Sequence, residues 1–324
     1  MPIKITICLV TYNGEKYLKP CLKSVFGQSF KDWRLFIMDN GSSDNSVKIA
    51  RELAKGRLAV SLLPAQKNNI GFAAGYNAAM REAPGEYILL LNQDIALERE
   101  YLEKIINFMD NHEYAGAAIG KILRLTNGLK TRNIDTAGLR LFSSFRVTDA
   151  GSGEEDRGQF NGTEEIFGVS GCLPVYRSEA LRQAGYFDSN FFSYKEDVDL
   201  AFRLRNIDWK AYRVGGAVAY HDRGLSGREQ AGNREIVKRR QDRSLLKNYL
   251  SYRNHLYVLI KNVSWADWWR YGFFIFWYEL KKLFYLLLFE QRTLYAWVEI
   301  IKYLPRFLRQ RRKAELESMR KWIK

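Results

Sequence analysis

An α/β fold with a mainly parallel sheet and helices on both faces is what this sequence predicts, and three observations predict it. Short apolar runs alternate with helical patterns along residues 3–91. Polar residues able to do chemistry sit at the carboxyl ends of those runs, where open α/β sheets collect ligands. The chain has 324 residues, 47% hydrophobic and 27% charged, enough for one large core plus an appendage or for two modest domains.

The elements follow in order. Ile3–Val10 reads as a buried strand, and Leu18, Leu22 and Val25 recur at helical spacing behind it. Trp33–Met38 is a second strand, stopped by Asp39-Asn40-Gly41-Ser42-Ser43-Asp44, whose last polar residues can cap a helix running to about Lys55. Leu58–Leu63 is a third strand. Asn69-Ile70-Gly71-Phe72-Ala73-Ala74-Gly75 leads into a small-residue helix ending near Glu82, Pro84-Gly85 turns the chain, and Tyr87–Leu91 is a fully apolar fourth strand. The middle third is different in character. Gly138–Val147 reads as a hairpin arm, Glu154–Gly162 as a polar, mobile loop, Phe167–Tyr176 and Ala211–Ala219 as strands, and Glu196–Asn206 as a helix.

Charge divides the chain near residue 228. Residues 1–227 carry 29 Lys and Arg against 27 Asp and Glu; residues 228–324 carry 22 against 9, and six of the eight tryptophans. Two units are therefore expected, a nearly neutral 1–227 and a basic, aromatic-rich helical 228–324. Trp265, Trp268, Trp269, Gly272, Phe273, Phe276, Leu280, Leu283, Phe284 and Leu287 share one helical face. The longest charge-free run between 271 and 289 is eight residues, against about 20 for a bilayer span. A helix lying in the membrane interface is expected, with Arg306, Arg309, Arg311, Arg312 and Lys313 as a second basic cluster facing anionic lipid. A homo-oligomer contact through the same tail, or a helical cap on residues 1–227, is the other reading. A nucleic-acid partner is not expected, because no recognised nucleic-acid module accompanies the charge. Cys8, Cys21 and Cys172 have no paired spacing, which fits a reducing compartment. The opening residues run straight into a strand pattern, so no signal peptide is expected.

Two acidic elements carry the candidate chemistry. Asn92-Gln93-Asp94 closes the fourth strand, where a carboxylate can hold Mg²⁺ or Mn²⁺ on a nucleotide diphosphate; the alternative is a loop Asp satisfied by backbone N–H groups. In Glu196-Asp197-Val198-Asp199, Glu196 completes a capping-box pattern with Ser193 and Asp199 can pair with Arg203. Asp197 has no such local partner and is a candidate general base, though a weak one at a free pKa of ~3.9. His221, at a strand end, is a candidate metal ligand or a structural histidine. Asp39 can accept from the N–H of a pyrimidine base, with Thr11 and Asn13 at the neighbouring strand end touching base or ribose. Gly71 to Gly75 resembles a phosphate cradle only weakly; close packing of a small-residue helix explains it as well. No Gly-x-Gly-x-x-Gly run is present, which disfavours a dehydrogenase.

These motifs resemble family 2 glycosyltransferases of the bacterial rhamnosyltransferase-like branch. The resemblance spans roughly residues 3–262 and rests on Val10–Gly14, Met38–Asp44, Asn69–Asn77, Leu91–Asp94, Ser170–Cys172, Glu196-Asp197, and Tyr220-His221 ahead of Gly224 and Ser226. It implies a GT-A fold, Rossmann-like with a mixed, mainly parallel sheet, and an inverting, metal-assisted single displacement. By position Asp197 matches the base, with Glu196 beside it, and Asp94 and His221 match the metal ligands. Asp39 matches the base-binding aspartate; Thr11, Asn13, Asn69, Gly71 and Asn92 lie in the donor-binding motifs. Asn92 stands where many members have Asp, leaving one carboxylate in the metal motif. The implied donor is a nucleotide sugar, dTDP-L-rhamnose first, with a UDP-hexose or UDP-galactofuranose as alternatives; the acceptor is a lipid-linked or polysaccharide hydroxyl. The expected setting is the cytoplasmic face of the inner membrane, held peripherally by residues 265–324. A catalytically silent membrane scaffold is the competing class.

Overall fold

The computed structural model describes residues 3–126, 128–222, 240–311 and 321–323. Among these, β1 (Ile5–Thr11), β2 (Trp33–Asp39), β3 (Val60–Leu62) and β4 (Tyr87–Asn92) pair in parallel in the order β4-β1-β2-β3. Helices α1 (Glu15–Phe26), α2 (Ser46–Ala54) and α3 (Phe72–Arg81) are the crossovers. The core side chains of β1 and β4 (Ile5, Ile7, Leu9, Leu89, Leu91) have no exposure, which is why these strands read as continuous apolar runs rather than alternating ones. Register places Thr11 opposite Asp39 and Val10 opposite Asn92, so the polar ends of β1, β2 and β4 finish level along one edge.

The sheet continues past β4 through β11 (Val175–Arg177), antiparallel to both neighbours, then β6 (Ala115–Thr126), β12 (Lys210–His221) and β10 (Thr163–Ile166). β6 and β12 are parallel; β5 (Ile95–Leu97) pairs with β12 and β7 (Leu129–Thr136) with β6. Helix α4 (Tyr101–Asp110) packs on β12 and β6, and α5 (Ser178–Ala184) and α6 (Glu196–Arg205) precede β12. The hairpin arm at 138–147 is a two-stranded unit, β8 (Leu139–Leu141) with β9 (Val147–Asp149).

Two middle-third expectations are corrected. Of Phe167–Tyr176 only the last residues enter a strand; the remainder leaves the ladder, and the amide of Gly171 donates to Asp197. The 154–162 loop is pinned to the sheet instead of free to close. Asp156 pairs with Lys121 at 2.6 Å, Ile134 donates to the Glu154 carbonyl at 2.8 Å, and the Arg213 guanidinium lies over the Phe160 ring. A Cβ on Gly215 would collide with the Phe160 carbonyl.

The C-terminal part folds as α7 (Leu245–Asn262), α8 (Trp265–Phe289) and α9 (Ala296–Gln310). A change of composition at 228 does not mark a change of packing. One hydrophobic cluster joins Leu139, Phe145, Phe167, Phe191, Val198 and Phe202 to Tyr252, Tyr257, Ile275, Ile300 and Phe307. The helices from 245 onward therefore share a core with the strands and helices before 222, and the boundary expected at 228 does not separate two independent cores. Residues 223–239, which contain that boundary with Gly224 and Ser226, and Arg312 and Lys313 of the second basic cluster, lie outside the described residues.

Candidate active site

At the ends of β4 and β12 two ligand-type side chains meet. The Asp94 carboxylate, a quarter exposed, has Oδ1 3.2 Å from His221 Nε2. The other ring nitrogen, Nδ1, lies 2.8 Å from Oδ2 of Asp135, a fully buried carboxylate on β7. Asp135, Cys172 and His221 form a tight buried cluster, with ligand-type atoms all within 4.8 Å. Burial alone would depress His221; its hydrogen bonds to the Asp135 and Asp94 carboxylates reverse that and hold the imidazole well above its ordinary value. The backbone locks the pair as well, since the Asp222 amide donates to the Asp94 carbonyl at 2.9 Å.

The acidic pair at the start of α6 faces the same opening. Asp197 Oδ2 accepts from the Gly171 amide and Oδ1 from the Val198 amide, both at 2.8 Å. Burial raises Asp197 above the usual carboxylate value, against the pull of the Gly171 hydrogen bond, which makes it a better base than a free aspartate. Glu196 is 5% exposed and its Oε2 is buried with no hydrogen-bond partner among the described residues. Burial first, then the Asp197 charge, pushes Glu196 up to about 8. Asp199, also fully buried, goes the other way. Burial would raise it, but Arg203 at 2.8 Å, Lys261 at 3.0 Å and Asn262 hold it down at about 2. The capping-box reading of Glu196 fails, because α6 is preceded by Lys195 in the left-handed region with no side-chain cap.

Asn92, Asp94, Cys172, Lys195, Glu196, Asp197 and His221 line one cleft of about 470 Å³, within the usual ~300–1,000 Å³ of small-molecule sites. The remaining sequence candidates lie outside that cleft. Thr11 is fully buried, and its hydroxyl donates to Gln93 Oε1 at 2.6 Å, so direct ligand contact by Thr11 is corrected to support of Gln93. Gln93 in turn bonds the Tyr12 amide and carbonyl, tying the ends of β1 and β4. Asn13 accepts from the Ser43 amide at 2.9 Å and braces two loops. Asn69 Oδ1 accepts from the Gly71 amide at 2.8 Å and from Asn40 at 3.2 Å. Gly71, at φ +88°, is pressed against Phe192, where a Cβ would meet the ring at 2.5 Å. Its role is close packing, and the phosphate-cradle reading is withdrawn. Asp39 keeps its candidacy: Oδ2 accepts from the Gly41 and Ser42 amides, while Oδ1 is buried with no partner among the described residues. Asn92 Oδ1 accepts from the Tyr76 hydroxyl at 3.1 Å. No residue of 154–162 lines the cleft, so that loop is not its lid.

Sequence reasoning missed Asp135, Gln93 and three polar residues of α7. Asp135 gave no signal, being one acid in a mixed strand. Arg253-Asn254-His255 did: three polar residues in succession point to different sides of a helix, and all three are buried. Glu196 supplies a pH test. The folded protein holds its proton from about 4.5 up to about 8, where an unfolded Glu has already lost it. Its contribution to stability is therefore full below that window and lost as pH rises through it. Glu196→Gln keeps the neutral form at every pH. Its melting temperature is expected to match the parent near pH 5 and exceed it at pH 8; parallel curves would contradict the assignment.

Residues 6–185 match the family described as Glycosyl transferase family 2. The chain is 35% identical over 113 residues to an uncharacterized glycosyltransferase of Haemophilus influenzae, covering 35% of this chain and 44% of that one. It spans less than half the length of the curated relatives it matches first. Among solved structures, TarS residues 1–349 of Staphylococcus aureus in complex with UDP-GlcNAc superposes with a TM-score of 0.53 at 18% identity, covering 79% of this chain and 66% of that one. The mannosyltransferase PcManGT from Pyrobaculum calidifontis, in complex with GDP-Man and Mn²⁺, gives 0.56 at 15% identity, covering 99% and 78%. At such identities these structures speak for the fold.

Proposed function

This chain belongs to glycosyl transferase family 2, and from that premise we propose that it moves a sugar from a nucleotide donor to an acceptor hydroxyl by an inverting, metal-assisted single displacement. The observation that carries the reading is the cleft itself: Asp197 lines the same 470 Å³ space as Asp94 and His221. A divalent cation fits the second pair. Asp94 Oδ1 and His221 Nε2 face each other at 3.2 Å in the cleft, and the Asp135 carboxylate behind Nδ1 fixes the ring as outer carboxylates do for metal-bound histidines. A mixed imidazole–carboxylate set with one acid favours Mn²⁺ over Mg²⁺. When bound, the cation neutralises charge on the leaving diphosphate. Asp39 Oδ1 receives an N–H of the base. Asp197 takes the acceptor proton as the new bond forms on the face opposite the leaving group, so the anomeric centre inverts. The test is nucleotide release from dTDP-L-rhamnose, UDP-GlcNAc, UDP-galactofuranose and GDP-Man with Mn²⁺ or Mg²⁺, dTDP-L-rhamnose being the first donor expected to react. No release from any of them would favour a silent scaffold.

The same proposal places the acceptor on a lipid carrier and the protein on an anionic membrane surface. No helix of the described residues is long and apolar enough to cross a bilayer. Helix α8 nevertheless leaves Trp265, Trp269, Phe273, Phe276, Phe284 and Leu288 exposed, with Arg270 and Lys281 exposed alongside. That is the pattern of a helix seated at headgroup depth. Trp269→Glu with Phe273→Glu is expected to weaken binding to phosphatidylglycerol–phosphatidylcholine vesicles, read by flotation, by at least about a hundredfold, since each buried aromatic is worth about 1.5–3 kcal/mol. Unchanged flotation would leave α8 as a contact between copies of the chain.

A further inference from the structure

The backbone just ahead of the acidic pair is strained. Phe192, Tyr194 and Lys195 have φ of +61°, +74° and +71°, a region that is costly for non-glycine residues and persists only where the surroundings over-determine it. The over-determination comes from α7. Asn254 has no exposure, and its amide nitrogen lies 2.8, 2.8 and 2.7 Å from the carbonyl oxygens of Phe191, Ser193 and Tyr194. Its two hydrogens are shared among three acceptors. Its own oxygen accepts from Arg253 Nε at 3.0 Å, while the Arg253 guanidinium donates to the carbonyls of Asn190 at 2.9 Å and Phe191 at 3.1 Å. Lys195 Nζ donates to the Val147 carbonyl at 2.8 Å and pins the far end of the turn. The next two residues are Glu196 and Asp197, so the direction in which α6 starts is set here.

We propose that Asn254 is a positioning residue for the transfer step: its amide clamps the 191–194 turn and thereby aims the Asp197 carboxylate at the acceptor oxygen. This rests on the reading of Asp197 as the base. Asparagine suits the position because it brings two donors to a ring of carbonyls. Aspartate has the same shape and presents acceptor oxygens to that ring. Asn254 does not itself line the cleft and bonds neither Asp39 nor Asp94; it reaches the cleft through the backbone carbonyls of Ser193 and Tyr194, on the Asp197 side, so nucleotide binding and transfer are separable.

The test compares Asn254→Asp and Asn254→Ala with the parent. Binding sites are counted by calorimetry with Mn²⁺ and whichever of UDP, dTDP or GDP binds best, and turnover is measured per binding site. Amide hydrogen exchange is followed at 193–198. Expected is a kcat loss of roughly 100-fold, the usual cost of misplacing a catalytic group by about 1 Å, with nucleotide affinity changed by no more than about twofold. Exchange at 193–198 should rise while β1, β2 and β4 stay protected. Turnover per site within about threefold of the parent overturns the proposal, as does unchanged exchange in that segment. A residue that only filled space would lower the number of binding sites and leave turnover at each one intact. If the parent releases nucleotide from no donor, the transfer reading falls with it, and the exchange comparison alone decides whether the clamp exists.

Discussion

Asp197→Asn is expected to lower kcat by roughly 10³-fold, within the about 10²–10⁴-fold range of general-base catalysis, and to leave nucleotide affinity nearly unchanged. The substitution is almost isosteric: the Asn oxygen can still accept from the Gly171 amide, and only the bond from the Val198 amide is given up. What disappears is the site that receives the acceptor proton. Stopped assays of nucleotide release with acceptor present, alongside calorimetric nucleotide binding, separate the two quantities. Turnover within tenfold of the parent would remove Asp197 from the mechanism. The pH profile gives an independent check. Burial raises this carboxyl above the ordinary aspartate value, and a base works deprotonated. The rate should therefore fall as pH drops through a midpoint higher than that of a free aspartate, and the acid limb should vanish in Asp197→Asn.

Removing the other half of the cleft is expected to have a comparable effect. Asp94→Ala deletes the one carboxylate of the Asn92-Gln93-Asp94 turn and leaves His221 Nε2 without its partner in the cleft. Loss of electrostatic stabilisation of a leaving group typically costs about 10²–10³-fold in kcat, and the residual rate should no longer respond to EDTA or added Mn²⁺. Asp135→Asn, which lies behind the cleft against His221 and Cys172, should weaken metal affinity by about 10–100-fold, as for outer carboxylates elsewhere. Equilibrium Mn²⁺ binding measured by electron paramagnetic resonance reads both without needing a substrate. An Asp94→Ala protein that keeps full, EDTA-insensitive activity ends the metal assignment.

The parallel half of the fold was legible because its cause is local. Apolar runs too short for helices, each stopped by Asn, Asp or Gly, force β1, β2 and β4, and their level ends follow from parallel register. Asp94 and His221 could be found for the same reason, both terminating strands. Exposure was not legible. Thr11 and Gly71 sit in the right motifs but are sealed by Gln93 and Phe192, contacts that join residues 82 and 121 positions apart in the chain. Asp135 meets His221 across 86 positions, and Asn254 meets its carbonyls across 60 to 63. Periodicity carries no information about such pairings. Composition at 228 carried no information about packing, because Lys, Arg and Trp mark surface character, while α7 turns polar residues inward.

The dependence of the acidic pair on α7 has a consequence for biosynthesis. On the proposed reading the base-binding side, β1 to β4 with Asp39, emerges first and its contacts are short in sequence, which favours early folding, while His221 joins Asp94 only after β12. The strained turn cannot be tied until residue 254 emerges. On the proposed mechanism, a chain stalled before α7 would carry the donor-side residues without an aimed Asp197 and would be unable to spend an activated sugar.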